Sequence, residues 1–307
     1  MPTTPILLDH HNLRARIDQS FGASLIDLQA LHPRLGWLPI IARNVPGEDP
    51  RTNPACFFMA PWCNRIANAR FNHLGKPITL TPDPRDGHAI HGDVRKRPFT
   101  ILDRTPTSAR LSFDSRQHKN VNWPWPFTAI ARYELTPHTL HIEFTLTNAS
   151  TTPFPCGVGI HPYFPRQQTH HQTRLLKLAA PVRFRYQSAA CIPTGPATRD
   201  ALARRLSHLH PPAPLPANDS FTGHTGTITL HWPHCHATLT SSPGHTHLVY
   251  FTPHAPTGEP MPFVAVEPMT IPPNAFNLQP HPDLGVQTLQ PSQSLTTTYT
   301  LGIEMRH

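Results

Sequence analysis

Between Thr139 and Asn148 the chain alternates without a break: Leu140, Ile142, Phe144 and Leu146 take every second place, and Thr139, His141, Glu143, Thr145 and Thr147 take the others. A period of two sends alternate side chains to opposite faces of an extended strand, so this stretch predicts a strand with one face buried. Shorter runs of the same kind occur at Phe127 to Leu135, Gly226 to Trp232, His247 to Phe251 and Ser294 to Ile303, each bounded by Pro, Gly, Asn or Ser. No long stretch carries a helical period, and short helical turns are expected only at Asp27 to Leu35 and Thr198 to Leu209. The 39 prolines are scattered over 307 residues, which suits many short strands joined by proline-bearing turns. All-β sandwiches of this length can form around a single core, and residues 1–307 are read as one domain. Pro193 to Pro216 interrupts the pattern; strand signals stand on both sides of it, so it is expected to be a surface excursion and not an interdomain linker. The absence of a fixed-period repeat argues against propellers and solenoids.

Composition removes several function classes. The excess of 26 Lys plus Arg over 18 Asp plus Glu gives +8, but the densest basic cluster is Arg95, Lys96 and Arg97, beside Asp93, too short for a nucleic-acid stripe. Cys56, Cys63, Cys156, Cys191 and Cys235 are odd in number and contain no Cys-x-x-Cys pair, so reduced, buried thiols are expected in place of disulfides or a thiolate zinc site. Met1 to Ser20 carries prolines, two adjacent histidines and charges where a signal peptide needs an unbroken apolar run, and nothing elsewhere has the length of a membrane span. A cytoplasmic protein with no nucleic-acid or membrane partner, monomer or homodimer, is the expectation.

Four segments carry groups suited to acid and base chemistry. In Ala60 to Phe71 the amide of Asn64 and the guanidinium of Arg65 stand between apolar residues; such donors can fix sugar hydroxyls, or Arg65 can pair with a carboxylate at a turn. His88 to Asp93 places His91 before Gly92, which permits close approach of backbone or ligand, although one histidine among 23 is a weak signal. Cys156 to Phe164 delivers His161 from an apolar, glycine-bearing strand; burial disfavours its imidazolium, so a neighbouring carboxylate would be needed to bring it towards neutrality. Pro262 to Thr270 sets Glu267, one of six glutamates, at the end of an apolar run, where a carboxylate is costly without a partner or a purpose. A buried structural salt bridge is the alternative to a functional role there.

These four segments, in this order, resemble the aldose 1-epimerase (galactose mutarotase) family. The similarity extends through Trp123-Pro124-Trp125-Pro126-Phe127, Asn148-Ala149-Ser150 and Glu267-Pro268-Met269-Thr270 followed by Asn274-Ala275-Phe276-Asn277, and is poorest over Pro193 to Pro216. It implies an all-β fold, a large antiparallel β-sandwich of the galactose mutarotase-like supersandwich kind with few short helices and a sugar cleft. By the same resemblance Glu267 is the base on the anomeric hydroxyl, His161 protonates the ring oxygen, His91 reaches towards that oxygen, and Asn64 and Arg65 bind the sugar. The family commonly has a sugar-binding aspartate three residues before a phenylalanine; here Asn218 takes that place before Phe221, with Asp219 beside it, so both are candidate sugar ligands.

The implied reaction interconverts the α and β anomers of a free aldohexose. O1 loses a proton while O5 gains one, C1–C2 rotates, and reclosure gives the other anomer; one base and one acid on opposite sides of the acetal suffice, with no cofactor or metal. A related branch acting on hexose 6-phosphates would use extra arginines, for which Arg95 and Arg97 are available, but the wording around His161 and Glu267 resembles the free-sugar branch more. A carbohydrate-binding module that has lost turnover is a further alternative. So is a metal site at His234 with His236 or His245 with His247, although two ligands do not make a zinc site and these pairs are expected to face solvent.

Overall fold

The computed structural model describes residues 4–306 apart from 44, 46, 52, 170–175, 190 and 279–283. One eight-stranded sheet runs in the order Thr100–Arg104, Ser108–Asp114, Phe127–Leu135, Thr139–Asn148, Ser294–Met305, Cys235–Ser241, Thr227–His231, Lys177–Ala179. A second runs Ile192–Thr198, Phe184–Ala189, Ala217–Thr222, His247–Thr252, Phe263–Met269, Gly159–Ile160, Phe58–Met59, with Tyr163–Pro165 also pairing the Phe263–Met269 strand. A four-stranded sheet covers Ile6–His10 to Gly36–Ile41. Within the two large sheets every pairing is antiparallel. No helix among the described residues is long and apolar enough to cross a membrane.

The alternation that predicts the Thr139–Asn148 strand is the packing that holds the sheets together. Leu140, Ile142, Phe144 and Leu146 are all buried, and the Phe144 ring stacks at 4.4 Å on Phe58 of the second sheet. The next residue, Met59, points the other way, and with Gly159 and Met269 it forms a row on the opposite face of that sheet. The Phe263–Met269 strand is buried at all seven positions, because the sheet is covered on both faces. That double cover explains why its sequence reads as a continuous apolar run interrupted by one carboxylate.

Three expectations change. Asp27 to Leu35 holds no helical turn: Ser24–His32 is a strand paired on both sides, with Asp27 bonded to Arg16 across the ladder, and pairing overrides the helix-like spacing of its leucines. The Pro193 to Pro216 segment is partly built into the sheet, since Ile192–Thr198 is its edge strand, where Pro193 and Pro196 are tolerated. The helical turn expected within Thr198 to Leu209 is present as Ala201–Leu206, capped by the Asp200 side chain on the Ala203 amide. The pair His245 and His247 is buried and does not face solvent; His245 Nε2 lies 2.8 Å from the Tyr299 hydroxyl. His234 and His236 are partly exposed, and His236 stacks on His231 at 3.6 Å. All five cysteines are buried and free.

Candidate active site

Four chain segments converge on the face marked by Met59. Glu267 is 1% exposed, and its Oε1 lies 3.0 Å from Nε2 of His161, itself buried just after the short Gly159–Ile160 strand. The His161 amide donates to the Phe57 carbonyl at 3.0 Å, and its ring stacks on Phe57 at 4.6 Å. Tyr163 closes the other side, its hydroxyl 3.5 Å from Nε2. His91 meets the His161 ring edge-on at 5.2 Å, and its Nδ1 is 3.2 Å from the Met59 sulfur.

The backbone that carries these groups is constrained. His91 has φ 62° and Gly92 φ 74°, and a Cβ on Gly92 would lie 2.2 Å from the Ala60 carbonyl oxygen, so only glycine fits the close approach that seats His91. The His91 amide donates to the Asn64 carbonyl at 2.7 Å, which ties the two segments. Asn274 and Asn277 clamp the segment after Asn64 from behind: the Asn274 amide donates to the Arg65 carbonyl at 2.6 Å, its Oδ1 accepts from the Ala67 amide at 3.0 Å, and Asn277 Nδ2 donates to the Arg70 carbonyl at 2.8 Å.

Burial sets the electrostatics. It pushes the Glu267 carboxyl up to about 8 against the opposing pull of Arg65 and the nearby Asn64 amide, and it pushes His161 well below the usual imidazole value, with Arg95 adding to the effect. Both shifts favour uncharged partners, so the pair holds one proton between Oε1 and Nε2. The other carboxyl oxygen, Oε2, and His161 Nδ1 are buried without a well-formed hydrogen bond, and the Asn64 side chain lies close enough to the carboxyl to lower its value. His91 is lowered too, by burial first and then by Arg95 and His161.

Of the residues singled out in the sequence, Glu267, His161, His91, Asn64 and Arg65 come together here. Arg65 does what the turn alternative foresaw as well: it grips Asp86 with bonds of 2.7 to 3.1 Å, while its charge still reaches Glu267. Asn218 and Asp219 separate. Ser220 pairs with Val249 and Val249 with Glu267, so Asn218, two residues from Ser220, shares the Glu267 face, whereas Asp219 points to the other face and bonds Arg185 at 2.6 Å. Asp86, Phe57 and Tyr163 were not singled out in the sequence, because nothing local marks them, and Arg95 was named there only as an arginine available to the hexose 6-phosphate alternative. No group of three or more His, Cys, Asp or Glu among the described residues is placed to hold a metal.

The aldose 1-epimerase family profile matches residues 6–302. The chain belongs to that family. Among curated proteins it is similar to the uncharacterized protein YphB of Escherichia coli K12, 26% identical over 265 residues that cover 82% of this chain and 85% of that one. Its fold is that of a galactose mutarotase-like protein from Clostridium acetobutylicum, with a TM-score of 0.85 at 16% identity over 98% of this chain and 95% of the other. A galactose 1-epimerase from Lactobacillus acidophilus superposes with a TM-score of 0.74 at 15% identity, covering 99% and 95%. At such identities the two structures establish the shared aldose 1-epimerase sandwich and nothing about substrate.

Proposed function

We propose that the protein is an aldose 1-epimerase that interconverts the α and β anomers of an aldohexose, with Glu267 and His161 as the base and acid, His91 as a partner of the ring oxygen, and Asn64, Arg65 and Asn218 as sugar ligands. The observation that carries the reading is the buried carboxyl and imidazole 3.0 Å apart, each moved off its ordinary pKa by burial and together holding one proton. Such a pair supplies one acid and one base without any change in its total charge.

The two groups touch each other, so a sugar has to part them. When the hemiacetal enters, the shared proton passes to His161 Nε2 and leaves Glu267 as the carboxylate, so that O1–H replaces the imidazole as the partner of Glu267 and the ring oxygen replaces the carboxyl as the partner of His161. Each buried group exchanges one hydrogen bond for another, which offsets part of the cost of separating them. Proton loss from O1 and proton gain at O5 then open the ring, and rotation followed by the reverse transfers closes it on the other face.

Polarimetry on freshly dissolved α-D-glucose tests the assignment. Glu267→Gln and His161→Ala are each expected to lower the enzymic rate by about 10² to 10⁴, with sugar binding retained in calorimetry. Variants that keep the wild-type rate would refute the roles. Binding by the wild type with no acceleration of mutarotation would make the protein a carbohydrate-binding module instead.

A further inference from the structure

Ring opening as proposed gives Asp86 no part, yet a closed turn holds that carboxylate at the site. The Asp83 carbonyl accepts from the Asp86 amide at 3.2 Å and from the Gly87 amide at 2.8 Å, and the Asp83 amide donates to the His88 carbonyl at 2.8 Å. Gly87 closes the turn with φ 75°. The strand that follows, Ala89–Ile90, pairs with Arg65–Ile66, and so sets the turn beside Arg65. The Asp86 carboxylate then accepts from Nε at 3.0 and 3.1 Å and from Nη2 at 2.7 Å. The two side chains are only 13% and 21% exposed, so water screens the pair in part.

That grip leaves Nη1, which lies 3.2 Å from Asn64 Oδ1. A guanidinium only donates, so the Asn64 amide presents its oxygen to Arg65 and turns its NH2 the other way. An NH2 is the end from which a carboxyl oxygen can accept, and the Asn64 side chain lowers the Glu267 value. We propose, resting on the mutarotase reading above, that Asp86 is a positioning residue for the base and acts through Arg65: its two-pronged hold fixes the guanidinium so that Nη1 orients the Asn64 amide towards Glu267. The same hold tempers a charge. Among the groups around Glu267, His161 shares its proton, whereas Tyr163, Cys63 and Cys191 are pushed up by burial and stay uncharged. His247 lies on the same face, two residues along the neighbouring strand. Arg65 is the cation that pulls on the carboxyl against burial. Without Asp86 that pull would be stronger, Glu267 would be a weaker base, and O1–H would give up its proton less readily.

The test follows anomeric exchange of glucose by NMR against pH, corrected for the spontaneous rate, in the wild type, Asp86→Asn, Arg65→Met and the double variant. Asp86→Asn keeps the shape and removes the charge, so the alkaline limb of kcat/KM is expected to move down by about 0.5 pH unit or more, with the acid limb, set by His161, moving less. Arg65→Met should move the alkaline limb up, and adding Asp86→Asn to it should shift that limb by less than half as much as in the wild type. A slower Asp86→Asn with both limbs in place would mean a structural role only and overturns the proposal, as does an upward movement or an undiminished shift in the double variant. Infrared difference titration reads the same quantity without turnover: the band of the protonated Glu267 carboxyl, identified by its loss in Glu267→Gln, should vanish at lower pH in Asp86→Asn. Should the wild type exchange no sugar, the mutarotase reading fails, and this titration alone decides whether Asp86 acts on Glu267; an unchanged midpoint overturns it.

Discussion

Glu267 and His161 divide one proton, and the pH at which each end of that arrangement fails follows from their shifts. Below the depressed value of His161 both groups are protonated and no base remains; above the Glu267 value of about 8 the last proton leaves and no acid remains. The profile of kcat/KM against pH is therefore expected to be bell-shaped, with its alkaline limb falling near the value that burial gives Glu267. A rate that stays constant from about pH 7 to about pH 10 would exclude the pair as the acid and base. His91, held neutral by burial and by its cationic neighbours, is suited to a hydrogen bond with the ring oxygen and not to a second proton transfer.

Strand parity decides between two adjacent residues that no local signal separates. The continuous register through Ala217–Thr222, His247–Thr252 and Phe263–Met269 turns Asn218 to the Glu267 face and Asp219 away from it. Strand spacing and rise put the Asn218 and Glu267 backbones roughly 12 Å apart, a gap that a pyranose with its hydroxyls and the two side chains can fill. Asn218→Ala is expected to raise KM several-fold with a smaller change in kcat, and Asp219→Ala to leave KM within about twofold while loosening the Arg185 contact; steady-state kinetics on both variants checks this. Raised KM in Asp219→Ala alone would mean that the register argument fails. The same ladder logic explains the failed helical expectation at Asp27 to Leu35, where two neighbouring strands supply hydrogen bonds that an isolated turn could not match.

Across the whole molecule the site exists because two eight-stranded sheets pack face to face and leave the outer face of one of them to build a polar cluster. Phe58 and Met59 illustrate the division, one ring stacked on Phe144 between the sheets and one thioether against His91. Phe144 is fully buried, so Phe144→Ala is expected to cost about 3–5 kcal/mol of folding stability through lost apolar burial and the cavity left behind. Urea denaturation checks it, and a loss under about 1 kcal/mol would show that the sheets do not rely on this contact.

The sequence by itself determined the strands with regular alternation, the helical turn after Asp200, the buried character of the cysteines and the peculiarity of Glu267, because each depends on a residue and its near neighbours along one strand or turn. Only the tertiary structure decided that Glu267 meets His161, that Arg65 is shared with Asp86, that Asn218 and not Asp219 has the Glu267 orientation, and that Arg97 is paired with Asp93. Those outcomes depend on sheet register and on contacts between segments distant in the chain. A pairing of charges across such distances leaves no trace in local composition, since any of the nearby carboxylates could have satisfied either arginine until the strands were aligned.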